Sequence, residues 1–170
     1  MVGQHSENIT MDDVDFEAPK ESGRTTAGYA DFVQMSGCKG TINISNCTFA
    51  GPHDDPINIH GTFNTVTAIS SDRRTITVQY NHNETAGFPN FFEGDEIEFM
   101  TKGNMITVED SVRTVTKVDG PDGMGGNMGD GSGSLTTIKL TLNEAVPSDV
   151  QVNQHVVENI TYTPTVNITN

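Results

Sequence analysis

The chain has 170 residues, enough for one ordinary domain or two small ones, and it carries 23 acidic against nine basic residues for a formal charge of −14. That charge repels a phosphate backbone and an anionic bilayer, which argues against nucleic-acid binding, and no stretch approaches the roughly 20 apolar residues of a membrane-spanning helix. Valine and isoleucine together number 27 and threonine and asparagine 37, while leucine occurs three times, so the chain reads as all-β rather than as a helical bundle or a doubly wound α/β fold.

The opening Met1-Val2-Gly3-Gln4-His5 runs straight into patterned sequence with no secretory leader, so the start is expected to be a cut inside a larger protein. Residues 8–16 (Asn-Ile-Thr-Met-Asp-Asp-Val-Asp-Phe) then align without gaps on residues 41–49 (Thr-Ile-Asn-Ile-Ser-Asn-Cys-Thr-Phe), a shift of 33. Ile9 falls on Ile42, Met11 on Ile44, Val14 on Cys47 and Phe16 on Phe49, with the polar pair Asp12-Asp13 on Ser45-Asn46. The last residues, Thr165 to Asn170, begin the same phrase a third time, sitting on Gly40 or Thr41 through Asn46. One such unit cannot bury its apolar side alone, so the units must stack. A right-handed parallel β-helix with inward Ile, Val, Cys and Phe ladders and Asn at its corners fits this pattern. Cys38 and Cys47 are too few for a disulfide framework and read as buried thiols rather than a bridge.

Residues 62–157 follow a different rule. Candidate strands are 64–70, 75–80, 95–101, 105–108, 111–118 and 135–142, with a shorter one near 151–157. Ile76, Val78 and Tyr80 alternate with Thr and Gln, Ile97 and Phe99 with glutamates, and Ile138, Leu140 and Leu142 with Lys139 and Thr141, as half-buried antiparallel strands do. Six or so strands with tight connections predict a small closed barrel, since closure removes exposed edges. Asp72-Arg73-Arg74 reads as a hairpin turn, and the Gly-rich acidic run 119–134 as a loop. The expected organisation is therefore β-helix coils over 1–61, an inserted antiparallel β-barrel over 62–157, and a return to the β-helix over 158–170.

The stretch richest in chemistry is Gly51-Pro52-His53-Asp54-Asp55-Pro56-Ile57-Asn58-Ile59-His60-Gly61. Adjacent side chains on a regular strand point to opposite faces, so Asp54 and Asp55 need an irregular corner to converge, and Pro52 and Pro56 supply one. Two carboxyl groups held close cannot both ionise easily, which is one way to make a general acid. Asp31, in Gly28-Tyr29-Ala30-Asp31-Phe32-Val33-Gln34, lies about one coil earlier. One coil is a displacement of roughly 4.8 Å, so Asp31 is placed to flank the pair on the same face. An Asp-Asp pair between prolines is also what a solvated turn looks like, and spacing alone leaves that alternative open.

The run from Ala27 to Phe63, above all Gly-Tyr-Ala-Asp-Phe-Val-Gln and His-Asp-Asp-Pro-Ile-Asn-Ile-His-Gly-Thr-Phe, closely resembles glycoside hydrolase family 110. Weaker likeness extends to His82, Thr85, Gly87-Phe88 and Gly94-Asp95 in the barrel. The resemblance implies a parallel β-helix bearing an inserted β-barrel, and exo-acting α-1,3-galactosidase activity on blood-group-B-like or linear α-Gal glycans. It also implies inverting hydrolysis with Asp54 as the acid and Asp31 and Asp55 positioning the water. β-Helical polygalacturonases are similar in placing one Asp about twenty residues before an Asp-Asp pair. His53, Asn58 and His60 are the candidate substrate-binding residues, with a corner-ladder role for Asn58 and a barrel-junction role for His60 as the plain alternatives.

No cofactor is expected, and no metal: His and Cys lack zinc spacing, and the acidic loop lacks the spacing and terminal Glu of an EF-hand. The six Asn-X-Ser/Thr sites (Asn8, Asn43, Asn46, Asn83, Asn159, Asn167) fall mostly in the repeat phrase and read as structural. The loop His82 to Phe88 mixes polar and aromatic residues suited to sugar contact, or to a plain barrel connection. The expected partner is a galactose-terminated oligosaccharide or glycoconjugate, with no nucleic acid and no membrane insertion, and a homodimer of the full-length protein is left open. The expected location is secreted or periplasmic, in a bacterium. The rivals are a non-catalytic carbohydrate-binding or structural module and a polygalacturonase-like hydrolase. The last is disfavoured because an anionic uronate would want basic residues near the acids, and only Arg24 and Lys39 come near in sequence. With so few coils, the isolated chain is expected to be weakly active or inactive, with the barrel its best-folded part.

Overall fold

A computed structural model describes residues 1–82, 85–121 and 136–170. The chain divides into two compact units, Met1–Gly61 with Tyr162–Asn170, and Thr62–Thr161.

The first unit opens with β1 (Val2–Gln4), β2 (Glu7–Asp12) and β3 (Asp15–Phe16), and repeats the sequence of three as β4 (Val33–Ser36), β5 (Lys39–Ser45) and β6 (Thr48–Phe49), followed by β7 (Ile57–His60). Every pairing between these strands is parallel: β1–β4–β7 form one ladder, β2–β5 another and β3–β6 a third. The register is the one the repeat predicts, with Ile9 on Ile42, Met11 on Ile44 and Phe16 on Phe49. Like therefore stacks on like. Met11, Val33, Met35, Cys38, Ile42 and Ile44 are buried in one cluster, with Cys47 half-buried beside them, and both cysteines are free thiols. Phe16 stacks on Phe49 at 5.3 Å between ring centroids and on Phe32 at 5.4 Å. Offset ring pairs of this kind add about 0.5–1.5 kcal/mol beyond the area they bury.

The asparagines turn the corners. Asn8 and Asn46 adopt φ of 56° and 53°, the left-handed region that Asn tolerates best after Gly. Asn8 accepts a hydrogen bond from the Thr41 amide at 3.1 Å, and Asn46 donates to Asp12 at 2.9 Å. A bulge between Glu7 and Ile9 is accommodated opposite Gly40, whose φ is +71°; a Cβ there would collide with the Asn8 side chain.

The second unit is a closed barrel of β8 (Phe63–Ile69), β9 (Thr75–Tyr80), β10 (Glu96–Thr101), β11 (Arg113–Asp119), β12 (Thr137–Leu142) and β13 (His155–Asn159), in the order β10-β11-β12-β9-β8-β13 with β13 pairing back to β10. All its pairings are antiparallel. The alternation read from sequence holds: Ile76, Val78, Tyr80, Ile97, Phe99, Ile138, Leu140 and Leu142 point inward and are buried. The Ser70–Thr75 turn contains Arg73 at φ 58°, and its guanidinium donates to the carbonyls of Val146, Pro147 and Val150, tying the segment before β13 to the hairpin.

Two details depart from the sequence reading. Residues 105–108 do not form a strand: the chain doubles back on β10 and makes a single bridge, Thr107 to Met100. β11 pairs with β10 only at Glu96 and Ile97, and the 105–108 segment meets the edge beyond too briefly to form a ladder, with Ile106 62% exposed. The last barrel strand runs on to Asn159, since Asn159 still pairs with Ile97 across the closing seam. Most of the Gly-rich run 119–134 lies outside the described residues.

After the barrel the chain re-enters the first unit. Tyr162 meets His5 edge-to-face at 5.5 Å and lies under the Lys39 ammonium at 4.9 Å. β14 (Thr165–Thr169) then pairs in parallel with β5, Thr165 on Thr41 and Ile168 on Ile44, and Asn167 donates to Asn43 at 2.9 Å. In the two earlier rungs only two residues separate the first-ladder strand from the next (His5-Ser6, then Gly37-Cys38). In the third rung the corresponding corner, between β7 and β14, holds the whole barrel.

Candidate functional site

β4 and β7 pair Val33 with Ile57, 24 residues on, and that register continues backward beyond the strands. The Phe32 amide donates to the Asp55 carbonyl at 3.1 Å, the His53 ring bonds the Tyr29 carbonyl at 3.1 Å, and the Ala27 amide donates to the Gly51 carbonyl at 3.2 Å. The loop before β4 is thus laid against the loop before β7 along its length. Gly51 makes the close approach: its φ is +65°, and a Cβ there would lie 2.7 Å from the Thr25 carbonyl oxygen.

Asp31 and Asp55 are also 24 apart, so they occupy equivalent places on neighbouring rungs, and Asp54 sits on the irregular stretch between Pro52 and Pro56. One carboxylate oxygen from each of Asp31, Asp54 and Asp55 lies within 4.8 Å of the others. Asp54 and Asp55 are exposed and Asp31 is half-buried, so the group faces solvent.

The supporting residues divide. Asn58 pairs with Gln34 on β4, and its amide donates to Asp31 Oδ2 at 3.0 Å, fixing that carboxylate. Asn58 therefore belongs to the carboxylate group and not to a corner ladder. His53 belongs to the loop beside Asp54 and is held by the Tyr29 carbonyl. His60, on the same face of β7 as Asn58, bonds the carbonyl of its own neighbour Gly61 at 2.8 Å, and among the described residues it makes no hydrogen bond to the three carboxylates.

Tyr29 lies beside the carboxylates without having been singled out from sequence. It is 89% exposed, two residues before Asp31, with its backbone fastened to His53. An aromatic in a short Gly-flanked loop was the available signal. The spacing of the three carboxylates would also let them share one cation, although exposed acidic groups commonly cluster without one.

In the barrel, the likeness at Gly94-Asp95 has a structural reason. Buried Asp95 accepts from the Phe92 amide at 2.8 Å and from buried Asn159 at 2.6 Å, and Asn159 also donates to the Asn90 carbonyl. Tyr80 donates its hydroxyl to the Phe88 carbonyl, and burial pushes the phenol well above its ordinary range. These contacts close the barrel end. In the loop itself, Asn83 and Glu84 lie outside the described residues.

Comparison with known proteins bears on both units. A family model for the GLAA-B β-barrel domain II matches residues 75–122, from β9 through β11. Among curated proteins, an α-1,3-galactosidase A of Streptomyces avermitilis is 51% identical over 166 residues, covering 98% of this chain and 26% of the relative. The chain belongs to the α-1,3-galactosidase family. A second member, from Peterkaempfera griseoplana, is 46% identical across 99% of the chain and 23% of its own length. A third, from Bacteroides thetaiotaomicron, is 42% identical across 100% and 28%. The chain thus spans about a quarter of the length of the family members it matches, and the matches run through the carboxylate loops as well as the barrel.

Proposed function

We propose that the chain holds the acid–base centre of an exo-acting α-1,3-galactosidase, removing terminal galactose from blood-group-B-like or linear α-Gal glycans. The observation that carries this reading is the convergence of Asp31, Asp54 and Asp55 from two neighbouring rungs. In this mechanism Asp54 gives its proton to the glycosidic oxygen as the bond to C1 breaks. Asp31 and Asp55 orient a water and take its proton as the water oxygen bonds to C1. One water is consumed, galactose and the acceptor alcohol leave, and the proton from water restores the acid. Asn58 keeps Asp31 aimed, and His53 and His60 meet sugar hydroxyls. The work is extracellular or periplasmic, where such glycans are met.

We read the parallel ladders as coils of a right-handed parallel β-helix, the hand that crossover connections between parallel strands almost always take. Residues 1–61 and 162–170 then form the coils and 62–161 the inserted barrel, whose closing strand runs past the 157 expected from sequence. A polygalacturonase-like role is disfavoured further by Lys39, which is engaged with Glu7 at 3.6 Å and with the Tyr162 ring.

Stereochemistry is the sharpest question. Inverting pairs usually stand ~6.5–9.5 Å apart and retaining pairs ~5–5.5 Å, measured between carboxyl groups. The 4.8 Å here is an upper limit between selected single oxygens, a different and shorter measure, so the product anomer decides.

The experiment replaces the matching segment of the Streptomyces avermitilis relative with this chain and follows α-1,3-galactobiose by NMR. The expected first product is β-galactose, the mark of inversion. Asp54→Asn in the folded chimera, checked by thermal melting, should lower turnover by roughly 10²–10⁴-fold, the usual worth of a general acid. Unchanged turnover would remove Asp54 from the chemistry. Galactose binding without release of free galactose from the disaccharide would favour the carbohydrate-binding module instead.

A further inference from the structure

We propose that His53 is a positioning residue: its Nδ1–H holds the Tyr29 carbonyl, and this bond keeps the loop carrying Asp31 in register with the loop carrying Asp54 and Asp55. The argument starts from the regularity of the 24-residue step. Within the strands the step is maintained by backbone ladder bonds from Val33–Ile57 to Ser36–His60. Outside them the loops are irregular, and backbone pairs survive only at Phe32–Asp55 and Ala27–Gly51. Three residues separate Ala27 from Asp31, and that interval carries no backbone bond to the neighbouring loop. The His53 ring fills it, reaching a carbonyl one rung away at 3.1 Å.

A carbonyl oxygen only accepts, so Nδ1 must carry the proton and, in the neutral ring, Nε2 is left as an acceptor. The side chain therefore stands in for a missing backbone donor at the place where the two acidic loops need to be clamped. Misplacing a reacting group by about 1 Å costs on the order of 10²-fold in rate, so a clamp here is felt by the carboxylates on either side of it. Asparagine can present its amide nitrogen near the position of Nδ1, whereas glutamine carries its donor one bond further out. This pair of substitutions separates the hydrogen bond from the ring.

The catalytic consequence rests on the galactosidase reading, but the clamp itself does not. Two measurements on the 170-residue chain decide the clamp without any activity. Long-range ¹H–¹⁵N spectra at mildly alkaline pH, with the His53 signals assigned by their loss in His53→Asn, should show the Nδ1–H tautomer; an Nε2–H tautomer would overturn the proposal. Amide exchange at Ala27 and Phe32 should quicken about tenfold in His53→Ala, a loss of roughly 1.4 kcal/mol, and should recover in His53→Asn but not in His53→Gln. Exchange unchanged in His53→Ala would also overturn it.

Turnover is then read in the chimera described above. His53→Ala should lower kcat at least ~10-fold and also raise KM through the lost sugar contact, whereas His53→Asn should recover most of kcat but not KM. A kcat equal to the parent's in His53→Ala would refute the positioning role. If the parent chimera releases no galactose, the galactosidase reading fails while the tautomer and exchange results still decide the clamp.

Discussion

Ile42→Ala tests how the two units share stability. Ile42 is fully buried at the middle of a three-rung ladder, between Ile9 and Val166, and all its cluster partners belong to the parallel unit. The substitution removes three carbons, worth ~0.8 kcal/mol each on transfer, or roughly 2.4 kcal/mol before the cavity is counted. The ladder cannot collapse into the gap without breaking register above and below, so the total should approach ~3–4 kcal/mol. Every ~1.4 kcal/mol is tenfold in the opening equilibrium, so amides of β5 and β14 should exchange on the order of 10²-fold faster. The barrel has its own, larger buried cluster, and the amides of β9 and β12 should keep their protection. Mass-spectrometric or NMR exchange reads both at once. Equal loosening of barrel and ladders, or undisturbed β5 and β14 amides, would refute the reasoning. In the parent chain the barrel strands should be the more strongly protected, and protection concentrated in residues 1–60 would reverse that ranking.

Three further outcomes are expected. Glu158 faces Glu98 directly across the antiparallel seam, and burial first, then the Glu98 charge, raise its carboxyl above the ordinary 4.5. A raised folded-state value means the native protein holds that proton more tightly than the unfolded chain does. Its contribution is therefore favourable at low pH and is lost as pH climbs from about 4.5 through the raised value. Glu158→Gln should flatten that decline and stabilise the barrel near neutral pH by roughly 0.5 kcal/mol, seen in thermal melts across pH; a steeper decline would contradict it. Arg73→Ala removes donors to three carbonyls and should cost ~2–3 kcal/mol by urea denaturation, while a change below ~0.5 kcal/mol would show the clamp on residues 146–150 to be idle. Tyr29→Ala should weaken galactoside binding by ~0.5–1.5 kcal/mol without changing the melting temperature, because an exposed ring contributes to a ligand rather than to the core; titration calorimetry on the chimera reads it.

What was legible in the sequence was what depends on local pattern. Ile76-Val78-Tyr80 and Ile138-Leu140-Leu142 announce an inward face because a strand's side chains alternate, whatever the strand pairs with. The 33-residue repeat went further and predicted partners, since identical apolar spacing stacks best on itself, and Ile9 does sit on Ile42 and Phe16 on Phe49. The stretch 105–108 misled because its two alternating apolar residues meet the β10 edge through a single bridge, too short a pairing to make a strand. The barrel's closure by β13 on β10, between strands remote in sequence, leaves no local trace, nor does the Asn90, Asp95 and Asn159 network that seals its end.

The acidic residues were visible as a motif and a one-coil displacement already placed Asp31 beside the pair, but the interval that brings them together, 24 rather than 33, is one that no repeat of residues announces. Only paired strands could set that interval: once Val33 lies on Ile57, the chain behind each strand is carried into line, and Asp31 arrives beside Asp55. Residue type and alternation thus determined the β character, the inward faces and the stacking of the repeat. Long-range backbone pairing decided which irregular loops became neighbours, because the energy of a loop depends on what it lies against and its sequence alone does not name that partner.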